Sequence, residues 1–338
     1  MSKVSIHIIT WNGERFIENT MKSLDAQVFK DFSILIIDNG SDDQTVPWLR
    51  EYYPQVKIVE NRRNLGFCKS NNQAFHFTDS EYVLAMNQDI ILSENYLEKV
   101  VKEFEINEEV GSVQGKIYKV IGDPTNLTPK SFTQVFDSTG IKAYRSRRFV
   151  ERGSGEEDTG QYDKEGEVFG VSGALPCYRR SSLEDIKINN EYFDEDFWSY
   201  KEDIDLAWRL RLRGWQAKFI PEAVAYHHRT ASIKDKLWDK GLALSIVSSR
   251  KDKPLYVHIP SYRNHFCLLT KNEQNFSQDW IFILWYEFRK FIYILFFEPK
   301  TFKGLFQYFK LRSKMKDKRK IIQSKARVGR KDIRKWFK

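Results

Sequence analysis

The residues of this chain best suited to chemistry come in short polar clusters, most of them directly after an apolar run: Thr10-Trp-Asn12-Gly13, Asp38-Asn-Gly-Ser-Asp-Asp43, Asn64-Leu-Gly66-Phe67, Asn87-Gln-Asp89, Glu202-Asp203-Ile-Asp205 and His227-His228. The Asp38 cluster offers carboxylates and turn amides that suit a base and a ribose, and would equally serve as a βα turn capping the next helix. Gly66 lets backbone approach a phosphate or ribose, or it simply opens a helix that includes Asn71 and Asn72. A carboxylate at the position of Asp89 can bind Mg²⁺ or Mn²⁺, hard ions that take one or two protein carboxylates plus phosphate oxygens; its plainer role is to cap a helix beginning near Ser93. Three carboxylates at 202, 203 and 205 meet the positive end of a helix dipole, worth less than about 1 kcal/mol each. That is more acid than capping requires, so one of the three is a candidate base. The histidine pair lacks further ligand spacing and is structural unless it acts in combination.

What positions these clusters is legible from periodicity. Apolar runs at 4–9, 34–37, 56–59 and 82–86 alternate with stretches of helical spacing such as Phe16, Ile17, Met21 and Leu24. This alternation predicts an α/β fold with a mostly parallel, Rossmann-like sheet covered by helices, in which ligands bind beyond the carboxyl ends of the strands. A helix is expected from about Glu202 to a Gly214 stop. Residues 122–167 turn to Gly, Thr, Asp and Arg with weak periodicity and are expected to form a loop or hairpin insertion over the site. Residues 280–297 are the most apolar, but Glu287, Arg289 and Lys290 interrupt them, which favours an interfacial or core helix over a spanning one.

Composition narrows the classes. The chain has a net charge of +9, but 13 Lys or Arg against Asp317 and Asp332 give residues 311–338 a balance of +11, leaving −2 for the rest. A near-neutral body with a basic tail and no helix-turn-helix signal argues against nucleic acid as a partner. Cys68, Cys177 and Cys267 are far apart and without a CxxC pair, which excludes a disulfide framework and a zinc site of the usual spacing. The first residues show no secretory signal, so the expected setting is the cytoplasm.

Taken together, Ile8-Ile-Thr-Trp-Asn-Gly13, the Asp38, Asn64 and Asn87 clusters, Val168-Phe-Gly-Val-Ser-Gly-Ala174, Tyr178-Arg-Arg180, Phe193-Asp-Glu195, Glu202-Asp-Ile-Asp-Leu-Ala-Trp-Arg209 and His228 with Ser232 resemble family 2 of the glycosyltransferases, especially its bacterial rhamnosyltransferase-like branch. The resemblance implies a GT-A fold, a nucleotide-sugar donor and inversion at the anomeric carbon. It assigns Thr10, Asn12, Asp38, Asn64, Gly66, Asn72 and Asn87 to the nucleotide-sugar. Asp89 is assigned to a Mg²⁺ or Mn²⁺ ion on the diphosphate, and His228 is favoured over His227 as second ligand. Asp203 is the implied general base with Glu202 supporting it, and Gly173, Trp198 and Asp205 fall on the acceptor side. The sequence departs from the family in having Asn87 where the DxD element starts with Asp, so a one-carboxylate site should hold its ion weakly until the diphosphate adds oxygens. Arg263-Asn264 and the basic end resemble the same branch more faintly.

The expected organisation is a GT-A catalytic domain over 1–240, with a nucleotide-sugar half to about 120 and an acceptor half from 121, then a helical, basic C-terminal extension over 241–338. Similarity favours dTDP-rhamnose as donor, with a UDP-sugar next, and a glycan or lipid-linked glycan as acceptor. The basic tail and the apolar segment before it suggest peripheral attachment to an anionic membrane at its inner face. Two rival readings are a sugar nucleotidyltransferase, which would want a Gly-rich loop where Thr10-Trp-Asn-Gly-Glu-Arg15 stands, and a non-enzymatic membrane or nucleic-acid adaptor, which would leave the carboxylates without purpose.

Overall fold

The computed structural model describes residues 2–164, 166–229 and 255–338. Ser232 and the expected boundary at 240 lie outside the described residues. The chain opens as strand β1 (Val4–Thr10), helix α1 (Glu14–Asp25), β2 (Phe32–Asp38), α2 (Thr45–Tyr52), β3 (Lys57–Glu60), α3 (Phe67–His76) and β4 (Tyr82–Asn87). It continues with β5 (Ile90–Leu92), α4 (Tyr96–Ile106), β6 (Val110–Val120), β7 (Phe132–Ser138), β8 (Ile141–Ala143) and β9 (Phe149–Glu151). Then follow β10 (Cys177–Arg179), α5 (Arg180–Ile186), α6 (Glu202–Arg213) and β11 (Gln216–His227).

The main sheet has the order β3-β2-β1-β4-β10-β6-β11-β5, with β7 alongside β6. Strands β1 to β4, β6 and β11 share one direction and β5, β7 and β10 oppose it. The expected mostly parallel α/β sheet is what forms. Strand β1 is buried along nearly its whole length because helices cover both faces, hence its unbroken apolar run. Helix α1 buries Phe16, Ile17, Met21 and Leu24 against that sheet, at the spacing that predicted it. Helix α6 begins at Glu202 and stops at Gly214, whose φ of +92° closes the last turn in the left-handed conformation.

The stretch 122–167 contains the expected hairpin, the two-stranded ribbon of β8 and β9, and one strand the sequence does not announce, β7, which joins the main sheet. Aromatic contacts explain it, since Phe136 stacks on Tyr118 at 5.4 Å and Phe132 meets Tyr226 edge-on at 5.0 Å, while polar Asp137 and Ser138 in the same strand hide the period.

The C-terminal part is helical, as expected, with α7 (Leu255–Asn272), α8 (Phe276–Phe297), α9 (Lys303–Lys325) and α10 (Arg330–Arg334), and it folds back on the body. Phe337 packs on Trp208 at 5.1 Å, the Arg211 guanidinium lies 3.8 Å from the Trp336 ring, and the Lys338 amide donates to the Ala143 carbonyl at 3.1 Å. Buried Lys271 bridges Asp194 and Asp205, and buried Lys318 joins Asp194 at 2.5 Å and Asp196 at 2.9 Å. The tail charge is thus divided between buried pairs and an exposed set that includes Lys310, Arg312, Lys314, Lys316 and Lys320.

Helix α8 explains its interrupted apolar run by turning inside out. Glu287 accepts from His265 of α7 at 2.7 Å and Lys290 lies over the Tyr262 ring at 4.7 Å, so two of the interrupting charges face inward. Trp280, Trp285, Phe288 and Phe296 are 50%, 61%, 56% and 70% exposed on the outside. Among the described residues no helix is long and apolar enough to cross a membrane.

Candidate active site

Strand β1 is flanked by β2, the next strand in sequence, and by β4, which is reached only after β3. Chains leaving such neighbours diverge and open a crevice at the carboxyl edge. The clusters at Thr10, Asp38, Asn87 and His227 stand at the carboxyl ends of β1, β2, β4 and β11. Gln88 spans the two loops: its Oε1 accepts the Trp11 amide at 2.9 Å and its Nε2 donates to the Trp11 carbonyl at 3.2 Å.

At the end of β2, buried Asp38 accepts from the Thr10 hydroxyl at 2.9 Å, from the amides of Gly40 and Ser41 at 3.0 and 2.9 Å, and from the Ser41 hydroxyl at 2.5 Å. Asn12, with φ +50°, receives the Asp42 amide on its Oδ1 at 3.0 Å and donates its own amide to Ser41. Thr10, Asn12 and Asp38 therefore tie together the loops after β1 and β2. Asn64 accepts the Gly66 amide at 2.9 Å and opens α3. Gly66 has φ +84°, and a side chain there would come within 2.5 Å of the Trp198 indole, so only glycine fits. The Asn87 amide is bonded to the Ala174 carbonyl at 3.1 Å, which fixes the start of the Asn87-Gln-Asp89 turn.

Asn72 and Asp205 turn elsewhere. The Asn72 side chain is buried and holds the Phe193 carbonyl at 2.9 Å while accepting the amides of Tyr192 and Phe193, so its polar atoms are spent on the loop before α6. Asp205 is buried against Arg209, Lys271 and Asn272. Lys271 and Arg209 hold its carboxyl below the usual range against the opposing effect of burial. It faces α7, and removing one partner from such a buried cluster typically costs about 3–5 kcal/mol.

Asp89 is brought to β11, and the partner it meets is His227. The Asp89 Oδ1 and His227 Nε2 are 3.3 Å apart, and His227 Nδ1 donates to buried Asp137 at 2.8 Å. Burial opposes a charge on this ring, yet the two carboxylates raise it to about 9. His228 instead points its Nε2 at the Gly122 carbonyl, 2.8 Å away, and rests on Phe16. The side chain aimed at Asp89 is thus the first histidine of the pair. A hydrogen bond from Nδ1 to a carboxylate orients an imidazole with Nε2 free for a metal once that nitrogen loses its proton, so the donor set fits a divalent ion. Among the described residues no three His, Cys, Asp or Glu converge on one point, leaving further positions for phosphate oxygens or water.

Glu202 and Asp203 occupy the buried start of α6. Asp203 accepts the Gly173 amide at 3.1 Å on Oδ2 and the Ile204 amide at 2.8 Å on Oδ1; at Gly173 a side chain would meet the Asp203 Cβ at 3.3 Å. Burial pushes the Asp203 carboxyl upward, and burial with the Asp203 charge pushes Glu202 up to about 8. One Glu202 oxygen has no hydrogen-bond partner. Burial outweighs the favourable helix terminus at both groups, so each holds a proton more readily than an ordinary carboxylate. Trp198, Tyr200 and Lys201, just before it, all have positive φ (+63°, +73° and +69°), a strain of roughly 1–2 kcal/mol per residue.

Sequence reasoning missed Asp137 and Glu151. Glu151 takes the hydroxyls of Ser138 at 2.6 Å and Ser172 at 2.9 Å, one residue from the Gly173 amide that binds Asp203. Burial pushes its carboxyl up to about 7. Both residues come from the stretch that reads as insertion, where no spacing marks them; only the strand pairing brings them to the site.

The model of glycosyl transferase family 2 matches residues 5–187, more than half of the chain. The chain belongs to that family. Its relatives include a poly-beta-1,6-N-acetyl-D-glucosamine synthase of Staphylococcus epidermidis, 22% identical over 225 residues, covering 66% of this chain and 49% of the relative. The chain spans about half the length of the curated relatives it matches, or less. Among solved family-like folds, S. aureus TarS residues 1–349 in complex with UDP superposes with a TM-score of 0.56 at 17% identity, covering 99% of this chain and 89% of that one. GalNAc-T7 with UDP, GalNAc and Mn²⁺ gives 0.56 at 12% identity over 80% of this chain and 48% of that one. The shared architecture is the GT-A type, a mostly parallel mixed sheet, here followed by C-terminal helices.

Proposed function

We propose that this chain transfers a sugar from a nucleoside-diphosphate donor to a hydroxyl of a lipid-linked glycan precursor, with inversion, at the cytoplasmic face of an anionic membrane. The observation that supports the reading is that the linked Thr10–Asp38 loops and the Asp89–His227 pair stand at the carboxyl ends of β1, β2, β4 and β11, with the Glu202–Asp203 pair tied in through Gly173. In this reading those loops and Asn64 hold the nucleotide. The acceptor oxygen attacks the anomeric carbon as its proton passes to Asp203, and the bond to the diphosphate oxygen breaks in the same displacement. Gly173 and Ile204 amides hold the Asp203 carboxylate in place, and protonated Glu202 keeps a second negative charge from building beside it. Asp89 and His227 would hold a Mg²⁺ or Mn²⁺ ion, which when bound supplies positive charge to the departing diphosphate.

Rhamnose is favoured as the sugar by the motif pattern of the sequence, while S. aureus TarS bound to UDP and to UDP-GlcNAc supports a UDP-sugar as the second choice. The outward apolar residues of α8 and the exposed lysines and arginines of α9 support attachment to anionic lipid by the C-terminal part, with residues 1–240 as the main catalytic unit. Incubation with a panel of dTDP- and UDP-sugars and lipid-linked acceptors tests the reading: nucleoside diphosphate and glycosylated lipid should appear together. Release of inorganic pyrophosphate instead would favour a nucleotidyltransferase.

A further inference from the structure

The turn that leads into Glu202 and Asp203 is held from outside the catalytic sheet. The carbonyls of Phe197, Ser199 and Tyr200 converge on a single amide nitrogen, Asn264 Nδ2 of helix α7, at 2.9, 2.9 and 2.8 Å. Asn264 is fully buried, its Oδ1 accepts the Arg263 guanidinium at 2.8 Å, and that same guanidinium donates to the Phe197 carbonyl at 2.8 Å. In the same turn Trp198, Tyr200 and Lys201 have positive φ without being glycine. Such a conformation persists only where the surroundings over-determine it. The same turn places the Trp198 indole over Gly66 and presents the Trp198 carbonyl to the Cys68 amide at 3.1 Å. The two halves of the crevice are therefore linked through it.

We propose that Asn264 is a positioning residue: its side-chain amide gathers the 197–200 carbonyls, locks the strained turn, and thereby sets where Asp203 and Trp198 stand in the crevice. This rests on the reading of Asp203 as base, and it makes α7 a component of the active site. A carboxamide is suited to the task because it has donors on one branch and, on the other, an acceptor that Arg263 anchors. Asp would set a carboxylate oxygen against three carbonyls, and Ala would leave them without a partner in a buried place.

The test compares Asn264→Asp, which keeps the shape, and Asn264→Ala with wild type. Amide hydrogen exchange over residues 197–205 should rise at least tenfold in both variants, with exchange in β1 and β4 unchanged. Turnover with the dTDP- and UDP-sugar panel should fall tenfold or more, while the melting-temperature shift given by UDP or dTDP stays within error. Unchanged exchange at 197–205 in either variant would overturn the proposal, as would a loss of protection spread evenly over the whole chain, or an Asp variant that turns over like wild type. Asp203→Asn serves as control: if it keeps wild-type turnover while Asn264→Asp still loosens 197–205, the base assignment fails and the clamp stands.

Discussion

At the scale of single residues, the account turns on carboxylates whose environment matters more than their number. Glu202, Asp203 and Asp205 share one helical turn, but Asp205 is neutralised by Lys271 and Arg209 whereas burial raises the other two. The spacing alone made all three equivalent, and no local signal announces Lys271, 66 residues away in α7. The same holds at His227-His228, where the chosen nitrogen depends on Asp137 from a strand that does not read as one. By contrast the polar turns after β1 and β2 could be read as turns because each directly follows an apolar run, while the bond from Thr10 to Asp38 across 28 residues could not. A pH experiment follows from Glu202. Its folded-state value near 8 lies above the ordinary glutamate range, so between about pH 4.5 and 8 the folded protein keeps a proton that the unfolded chain has lost, and this group's contribution to stability falls as pH rises through that window. Glu202→Gln cannot ionise. Its melting temperature should therefore gain on wild type from pH 5 to pH 8, with little difference near pH 4.5; parallel curves across that range would refute a buried, protonated Glu202.

Elements place those residues, and here the sequence was most informative where each element makes its own period. The first four strands and the helices between them could be read because both partners in each contact are repetitive and near in sequence. Strand β7 could not, since its pairing depends on Tyr118 and Tyr226 across the sheet and not on alternation within it. The pairing of β5 with β11 sets Ile90 opposite His227, which brings Asp89 to that ring. An Mn²⁺ titration tests that juxtaposition. With one carboxylate and one imidazole the protein alone should bind weakly, and UDP or dTDP should tighten binding at least tenfold. His227→Ala should remove most of that gain and His228→Ala little of it. Equal affinity with and without nucleotide, or the reverse order of the two histidine variants, would place the ion elsewhere.

For the molecule as a whole, the sequence suggested an appendage and the structure describes helices bound into the body by buried ion pairs and by Phe337 on Trp208. Removing the tail would therefore unfold part of the catalytic unit, and membrane binding is better probed on its exposed face. Replacing Trp285 and Phe288 by Glu, or Lys310, Arg312, Lys314 and Lys316 by Glu, should each lower binding to phosphatidylglycerol vesicles at least tenfold at physiological salt without shifting the melting temperature by more than a few degrees. Vesicle binding equal to wild type in both sets would rule out this face as the contact. The central claim is that the crevice carries out base-assisted glycosyl transfer, and the most direct measurement is nucleoside diphosphate release coupled to sugar incorporation into a lipid-linked acceptor, in wild type and Asp203→Asn. Asn keeps the size of the side chain but cannot take the proton, so the account predicts stoichiometric release and incorporation in wild type and a loss of about 10²–10⁴-fold in the variant, with nucleotide binding retained. Turnover of the variant within a few-fold of wild type would contradict it.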